Sequence, residues 1–471
     1  MAVLSRIASV AFISYAVSLT AAGPGSRALF SSDEVVALKL SAPFNELFQH
    51  ARAEEGYSVT GTVVYPDAGH NVTVDGATFG LRGHTSIRES ECTFPKLKIE
   101  FPAGAGANAA DGTLFGGLKG IKLGTHCGES TDGSVTPKYG RLPNEQAPLR
   151  EVAVYRLLDA LGVPTLKARA ARVSYVYTDA QPGRTPDQQK PIVRNAMLLE
   201  NNGEALKRLG AGSELTEEQF TNARERFTPE DTATLAFAEA MVGNFDWCVR
   251  MFKGDAYRCD ARHPLWNVIA AVGTDGRARP VMYDFDVSGM VAGRHRWFKD
   301  VFNTAFVASG SPVEVEVLSQ VQRTRTLFGR SVLDAARHRF TQRKADAYRV
   351  VESATLDQQG RQQIKQYLDA FYAAIGSDEA FYSPVVAAKG TMAFADAAGG
   401  AAVCPASGAI PVGTPVSEPI EKSGQRMKVM LLDALWHWAP PIKCDAVHNG
   451  AVWIDAGAVS TDFPSASPKQ P

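Results

Sequence analysis

The sequence predicts an α+β fold with a β-rich first half, a mainly helical second half and a small β module at the end. Strand-like segments dominate residues 35–101, and apolar residues recur at helical spacing from about residue 215 onward. Short strand candidates return after an Ala/Gly-rich stretch at residues 387–402. A chain of 471 residues that is 45% hydrophobic is large enough for two or three domains with cores of their own.

The net charge and the first residues indicate the compartment and limit the class of partner. Lys plus Arg (49) nearly cancel Asp plus Glu (50), so charge gives no reason to expect nucleic acid as a partner. Residues 1–22 place one arginine before a serine-diluted apolar run, which is typical of a secretory signal peptide and predicts a secreted or periplasmic protein. An uncleaved anchor is the alternative, but the run is shorter than the roughly 20 residues of a stable membrane span.

Six cysteines fall in three separated regions, two in each region. An even count behind a signal peptide favours disulfides over free thiols. We predict local pairs, which are Cys92 with Cys127, Cys248 with Cys259, and Cys404 with Cys444. Zinc is the alternative, since His126 precedes Cys127 and His84 lies near Cys92, but no CxxC or HExxH spacing supports it.

The predicted first domain, residues 34–210, opens with the strands VVALKL, YSVTGTVVY and NVTVDGATFGLRG. In the next strand, KLKIEF, strict alternation predicts that Lys96 and Lys98 share the face turned away from the core. After a further strand, KGIKLG, the segment LREVAVYRLLDALGVP predicts a helix that starts near Pro148 and stops at Gly162. Strands at 170–177 and 192–200 complete this half.

The predicted second domain, residues 211–385, is mainly helical. Thr228 followed by Pro-Glu-Asp fits a capping box, and the helix it begins leads to Asn244. WNVIAAV and RPVMYDF, joined by a Gly-Thr-Asp-Gly turn, predict a β-hairpin. Helices are predicted at 313–327, 331–352 and 358–375.

The end of the chain is predicted to be a separate module. A linker at 386–402 leads to strand candidates MKVMLL and AVWIDA within residues 403–463, and a short tail follows at 464–471. The two strand segments loosely resemble bacterial SH3 modules. We expect a cell-wall or envelope partner to bind there.

Acidic residues at two places suggest a site. Asp246 stands between two aromatic residues in GNFDW, and Asp284 and Asp286 lie two apart, so on a strand they point the same way. Like charges at that spacing repel and favour a counter-ion, for which Mg²⁺ and Mn²⁺ suit carboxylate oxygens. Two solvated aspartates at the end of a hairpin are the alternative.

The order of these parts along the chain adds a second line of evidence. Six features follow one another in the order that the corresponding parts of protein kinases have. They are a strand lysine, a helix glutamate, a strand ending in MLLEN, a loop with Asp246, Asn267 at the start of a hairpin, and DFD at its exit. Residues 35–375 resemble the CotH family of atypical kinases, the spore coat protein H type. The segments that carry the resemblance are LRGHTSIRESECTFPKLKIEF, LREVAVYRLLDALGVP, AMLLEN, GNFD and VMYDFD. The resemblance implies a diverged two-lobed kinase-like fold that binds ATP with Mg²⁺ or Mn²⁺ and phosphorylates protein Ser or Thr hydroxyls.

The resemblance also implies a set of nucleotide-binding residues. These are Lys98 or alternatively Lys96 on the phosphates, Glu151 holding that lysine, Arg82 near the phosphates, and Met197 and Glu200 lining the adenine site. Each has an ordinary structural alternative. Glu151 could form a surface salt bridge to Arg150 or Arg156, Arg82 could pack at a turn, and any buried strand end could resemble an adenine site.

For the reacting end, the resemblance implies Asp246 as the base that orients the acceptor hydroxyl and Asn244 as its supporting hydrogen-bond donor. Asn267 and Asp284 would ligate the metal, and Asp286 would share or replace Asp284. Two departures from the kinase pattern stand out. Asn267 lies much further beyond Asp246 than usual, and a disulfide between Cys248 and Cys259 would close the insert and bring Asn267 back beside Asp246. In addition, no GxGxxG loop precedes the lysine strand.

Two other functions fit parts of this pattern. A non-catalytic kinase-like scaffold of the cell envelope is favoured by the scarcity of ATP outside the cytoplasm. A metal-dependent hydrolase would use the DFD carboxylates, but it leaves the lysine strand and the helix glutamate without a role.

Overall fold

The computed structural model describes most of the chain in separate stretches. They are residues 29–83, 85–89, 92, 94–102, 113–125, 142–180, 185, 190–221, 226–249, 263–293, 312–325, 328–382, 384–404, 409–410, 412, 414, 416–431 and 451–461. The predicted signal peptide, the tail at 464–471 and the cysteines Cys127, Cys259 and Cys444 lie outside these residues. Within them the chain is a mixed fold of sheets and helices, as the sequence predicts.

Seven strands of the first half close into a barrel, in the order β1-β2-β3-β4-β5-β7-β6. The strands are β1 (Val36–Ala42), β2 (Ser58–Asp67), β3 (His70–Leu81), β4 (Leu97–Glu100), β5 (Gly120–Gly124), β6 (Ala168–Tyr177) and β7 (Ile192–Leu199). Six of the seven junctions are antiparallel, and the barrel closes where β1 runs parallel to β6. The strands match the sequence prediction, but their closure was not predicted.

A short helix, α1 (Phe44–His50), follows β1 and packs on the barrel core. Phe44 is fully buried and meets the rings of Phe79 and Tyr175 edge-on, with centroids 5.7 and 5.5 Å away. Such aromatic pairs add to the free energy gained from burial alone. The sequence analysis did not predict α1.

Gly61 permits the close approach of β1 and β2. A Cβ atom there would lie 2.2 Å from the Ser41 carbonyl oxygen, whereas at Gly80, in the next strand, its first contact would be at 3.7 Å. We expect Gly61→Ala to lower the free energy of unfolding by about 1–3 kcal/mol through overpacking. Gly80→Ala is the matched control and should be neutral or slightly stabilising. Urea denaturation measures both, and equal stability of the two variants would contradict this packing.

The helix α2 (Ala147–Ala160) lies outside the barrel, against β6 and β7. Pro148 is in its first turn and Gly162 follows its end with a left-handed φ of 69°, as the sequence predicts. Both Arg150 and Glu151 are buried on this helix. Because α2 also packs against helices of the second half, it connects the barrel to the rest of the chain.

The described residues of the second half are mainly helical, with a three-stranded sheet and a two-stranded ladder. Its helices are α3 (Asn202–Arg208), α4 (Glu217–Thr221), α5 (Pro229–Val242), α6 (Gly289–Ala292), α7 (Pro312–Thr324), α8 (Arg330–Gln342), α9 (Lys344–Ser353), α10 (Gln358–Ile375) and α11 (Asp378–Phe381). Thr228 caps α5 by accepting a hydrogen bond from the Asp231 N–H, which confirms the predicted start.

The predicted hairpin is also present, as β11 (Val268–Gly273) and β12 (Ala278–Met282). On its other side β11 pairs with β8 (Ala211–Leu215), and a short ladder of β9 (Cys248–Val249) with β10 (Leu265–Trp266) precedes it.

The single helix predicted at 331–352 is wrong, because it breaks into α8 and α9 at Arg343. The side chains of Arg339 and Arg343 donate hydrogen bonds to the carbonyls of Gly162 and Ala160 at the end of α2. Guanidinium groups at a helix carboxyl end satisfy its unpaired carbonyls and oppose its dipole. The break therefore coincides with a contact that fixes α2.

The last described residues form a five-stranded sheet in the order β15-β14-β18-β17-β16. Its strands are β14 (Ala393–Phe394), β15 (Ala402–Cys404), β16 (Glu421–Ser423), β17 (Arg426–Met430) and β18 (Ala451–Asp455), and β13 (Val385–Val386) pairs separately with β19 (Val459–Ser460). Strand β14 lies inside the predicted linker 386–402, because Phe394 packs under the Arg426 guanidinium and pairs with Trp453. The SH3-like assignment stays a prediction.

No helix in the described stretches is long and apolar enough to cross a bilayer.

Candidate functional site

Asp284 and Asp286 follow directly on β12 and converge on one buried ammonium group. The Lys96 Nζ atom lies 2.9 Å from Asp284 Oδ1 and 2.9 Å from Asp286 Oδ2. Only 5% of Lys96 is exposed. Burial lowers the pKa of Lys96, but the charges of the two aspartates and of Glu151 more than offset this, so the pKa is raised. The two aspartates are therefore a paired cluster and not solvated hairpin residues.

The structure corrects the orientation predicted for the two lysines. The Lys98 side chain is 53% exposed and pairs with Glu100, so it lies outside the cluster. Lys96, the alternative, stands just before β4 and is buried where Asp284 and Asp286 pair with its ammonium group. Its carbonyl accepts a hydrogen bond from the Arg82 N–H at 3.0 Å.

Glu151 reaches the same cluster from α2. Its Oε1 atom accepts a hydrogen bond from the N–H of Phe285, between the two aspartates, at 3.3 Å. Burial raises the pKa of Glu151 to about 8, and the charge of Lys96 opposes this rise. The surface salt bridges considered for Glu151 do not form, since Arg150 donates to backbone carbonyls and Arg156 pairs with Asp33.

Asp246 follows α5 in a dense hydrogen-bond network. Its Oδ1 accepts from the Trp266 indole N–H at 3.0 Å, and its Oδ2 accepts from Asn267 Nδ2 at 3.1 Å. Its backbone N–H donates to Asn244 Oδ1 at 3.0 Å, so Asn244 supports Asp246 as an acceptor and not as the predicted donor. The network holds the carboxylate in one orientation.

Burial also raises the pKa of Asp246, to about 7. The charges of Asp284 and Asp286 add to this effect, and the hydrogen bonds from Trp266 and Asn267 oppose it. A carboxylate with a pKa near neutrality is suited to accept a proton at physiological pH.

Asn267 and Asp284 share an uncommon backbone conformation at the open end of the hairpin. Their φ angles are 54° and 66°, and Ala68 is the only other non-glycine residue in the described stretches with a positive φ. The Tyr283 N–H donates to the Asn267 carbonyl at 3.3 Å, which places the two strained positions side by side. Asn and Asp tolerate this region better than other residues, but it still costs of order 1 kcal/mol and is concentrated at functional sites.

The cluster offers oxygen atoms that suit a divalent metal. Asp284 and Asp286 offer carboxylates, and the Asn267 amide uses its nitrogen on Asp246, which leaves its oxygen. In the part of the chain that the structure describes, no group of three or more His, Cys, Asp or Glu is arranged to hold a metal ion. Two carboxylates and an amide oxygen fit Mg²⁺ or Mn²⁺, which take their other ligands from phosphates and water.

Sequence reasoning missed Lys122. It lies on β5, the strand that precedes α2 and pairs with β7. Its Nζ atom donates to Asn202 Oδ1 at 2.5 Å, and burial together with the charge of Arg82 lowers its pKa to about 8. In KGIKLG the apolar residues Ile121 and Leu123 flank Lys122, as apolar residues flank the lysines of KLKIEF, and this pattern could have identified it.

Arg82, a predicted site residue, lies beside Lys122. Its charge lowers the pKa of both Lys122 and Lys96, and burial lowers the pKa of both groups more strongly. Its Nε atom is buried without a hydrogen-bond partner among the described residues. Neither Arg82 nor Lys122 forms an ion pair with a described carboxylate. Carboxylates nearby, Asp284 among them, oppose the lowering of the Lys122 pKa without pairing with it directly. Two adjacent cations that form no direct ion pair favour the binding of an anion.

The two predicted adenine-site residues are both buried, but they behave differently. Met197 faces Gly124, where a Cβ atom would lie 3.0 Å from the Met197 methyl carbon. The Glu200 carboxylate instead pairs with Arg208, at 3.0 and 2.8 Å, and accepts from the Lys167 N–H. The structure therefore does not bring the Glu200 side chain to the cluster, because this ion pair fastens the segment after β7.

Cys92 and Cys248 are both disulfide-bonded, and no described cysteine is free. Cys248 stands two residues after Asp246 and opposite Trp266 in the β9–β10 ladder. Because Cys127, Cys259 and Cys444 lie outside the described residues, the pairings predicted from the sequence stay predictions.

Comparison with known proteins gives similarity to solved structures. No family model and no curated protein sequence matches the chain. Among solved structures, the chain is similar to the crystal structure of a Helicobacter pylori proinflammatory kinase, CtkA, with 9% sequence identity, coverage of 57% of this chain and 89% of that chain, and a TM-score of 0.29. Identity and TM-score are both low, so the function proposed below depends on the geometry of the described residues.

Proposed function

We propose that the chain is an atypical protein kinase of the CotH type, which transfers the γ-phosphate of ATP to Ser or Thr hydroxyls of a protein. The observation that carries the proposal is the meeting of Lys96, Asp284 and Asp286 beside Asp246. It joins a cation from the barrel, a carboxylate pair from the hairpin exit and a carboxylate of near-neutral pKa from the loop after α5. Phosphoryl transfer requires these elements, because it depends on positioning and on charge neutralisation.

Each residue then has a role in the transfer. Asp246 orients the acceptor hydroxyl and takes its proton as the new O–P bond forms and the bond from the γ-phosphorus to ADP breaks. Trp266 and Asn267 hold Asp246 in position. A bound Mg²⁺ or Mn²⁺ would supply neutralisation of the phosphate charge. Asp284, Asp286 and Asn267 would hold it.

On the nucleotide side, Lys96, Arg82 and Lys122 would neutralise the charge of the phosphates. Glu151 would hold Lys96 and the loop of Asp284 and Asp286 in position relative to each other. In this proposal the barrel and α2 form the first lobe, the helical half forms the second, and the site lies between them. The protein acts outside the cytoplasm, and its terminal β module, proposed to be SH3-like, attaches it to the cell wall or envelope.

The deciding experiment is radiolabelled phosphate transfer from ATP to the purified, disulfide-intact protein and a generic acidic acceptor, with and without Mn²⁺ or Mg²⁺. Metal-dependent labelling that Asp284→Asn removes would support the kinase. Absence of labelling together with no ATP-induced rise in Tm would leave a scaffold. Product formation without nucleotide would instead identify a metal-dependent hydrolase.

The pH dependence of the reaction provides a second test. Because Asp246 must be ionised and its pKa is about 7, we expect kcat/KM to rise with pH through about pH 7. Trp266→Phe removes a hydrogen bond that lowers this pKa, so the acid limb should move to higher pH. Trp453→Phe, in the terminal sheet, is the control and should leave the limb in place. An unchanged limb in Trp266→Phe would argue against Asp246 as the base.

A further inference from the structure

The loops that supply Asp246 and the two aspartates both contain a glycine with no room for a side chain. Gly243 ends α5 with a left-handed φ of 66°, and a Cβ atom there would lie 2.2 Å from Tyr367 Cε1. Gly289 opens α6, and a Cβ atom there would lie 1.9 Å from the Tyr367 hydroxyl oxygen. The Gly289 N–H donates to the Gly243 carbonyl at 2.9 Å. One ring of α10 thus contacts both loops where they join.

A second buried residue fixes the position of this ring. The Tyr367 hydroxyl donates to Glu316 Oε2 on α7 at 2.9 Å, and both side chains are almost completely buried. The other carboxylate oxygen of Glu316 lies 2.9 Å from the Cβ position of Gly243. Tyr367 and Glu316 therefore enclose the backbone at Gly243, directly before Asn244.

We infer that Tyr367 is a positioning residue, which sets the distance between Asp246 and the pair Asp284 and Asp286. This inference rests on the proposed function. The Tyr367 ring touches neither carboxylate group in the described contacts, so it acts through the backbone of the two loops. Misplacement of reacting groups by about 1 Å can cost about 100-fold in rate, so the anchoring of this ring matters for the transfer step.

The test is Tyr367→Phe, which keeps the ring and removes its bond to Glu316. We expect kcat to fall about tenfold, which corresponds to the loss of one hydrogen bond, with the KM for ATP changed less than about twofold. Tyr372→Phe is the matched control. Tyr372 lies on the same helix and is also buried, and its hydroxyl has no hydrogen-bond partner among the described residues. It should retain wild-type kcat and KM.

A measurement without turnover separates this inference from the proposed function. Hydrogen exchange should become faster in peptides covering residues 243–249 and 284–292 in Tyr367→Phe, and not in Tyr372→Phe. Glu316→Gln provides a second route to the same change if Tyr367→Phe folds poorly. Unchanged exchange in both loops would overturn the positioning role. If the wild-type protein shows no kinase activity, the proposed function fails, but faster exchange in Tyr367→Phe would still support the positioning role.

Discussion

Asp246→Asn is expected to lower the rate of phosphate transfer by about 10²- to 10⁴-fold, the usual contribution of a positioned general base. The amide keeps the shape of the side chain but cannot take a proton. The loss should therefore appear in kcat more than in the KM for ATP, because no nucleotide contact is assigned to this residue. Initial rates with saturating metal measure both parameters.

The same substitution should raise stability above pH 7. The pKa of Asp246 is about 7 in the folded protein and roughly 3.9 when unfolded, so the folded state binds the proton more tightly. From this group alone, the free energy of unfolding falls as pH rises from about 4 to about 7 and then stays level. A neutral asparagine removes that loss. Asp246→Asn should thus show a higher Tm at pH 8 and a nearly equal Tm at pH 4.

Asp275→Asn is the control for this experiment. Asp275 lies in the exposed turn of the hairpin, where its Oδ1 accepts from the Arg277 N–H at 3.0 Å. Transfer should stay within about twofold of wild type, since surface substitutions rarely change the free energy of folding by more than about 0.5 kcal/mol. Equal activity of wild type and Asp246→Asn would remove Asp246 from the mechanism.

Lys96→Met should abolish transfer and also destabilise the protein. Removing one partner of a buried ion pair costs about 3–5 kcal/mol, and the partial exposure of Asp284 and Asp286 places the expected loss at the lower end or below it. Without the competing ammonium group, the two carboxylates should bind Mn²⁺ more tightly. We therefore expect Mn²⁺ to raise the Tm of Lys96→Met more than that of wild type, even without nucleotide.

Lys98→Met provides the matched comparison, two residues along the chain. Lys98 is exposed and its pair with Glu100 is exposed too, so this substitution should leave Tm and transfer nearly unchanged. If Lys98→Met were the damaging change and Lys96→Met the mild one, the assignment from strand alternation would be restored and the cluster would be wrong.

These two lysines show which features of the structure could be predicted from the sequence. Alternation predicted the strand correctly, but it could not show that Lys96, just before the strand, is paired with Asp284 and Asp286, which lie far along the chain. Local signals succeeded where the structure is local, as in the Thr228 cap and the β11–β12 hairpin. They failed at Arg343 and Glu200, because contacts with distant residues decide those positions.

The residues of the candidate site also separate into those that the sequence predicts and those that it does not. Asp246, Asn267, Asp284 and Glu151 were found from their order along the chain, and the structure brings them close together. Trp266 was not found, because only the β9–β10 ladder places its indole on Asp246. The closed barrel was not predicted either, because Val36 and Ala171 pair although they are far apart in sequence, and no turn motif connects their strands directly.

That parallel pairing of β1 with β6 also sets an order of events during folding. Strand β1 can pair with its second neighbour only after the segment Ala168–Tyr177 has been synthesised. Until then β1 has an unpaired edge, and contacts between such distant segments are slow to form. A fragment that ends before β6 would retain that open edge and should aggregate, whereas one that ends after β7 can close the barrel.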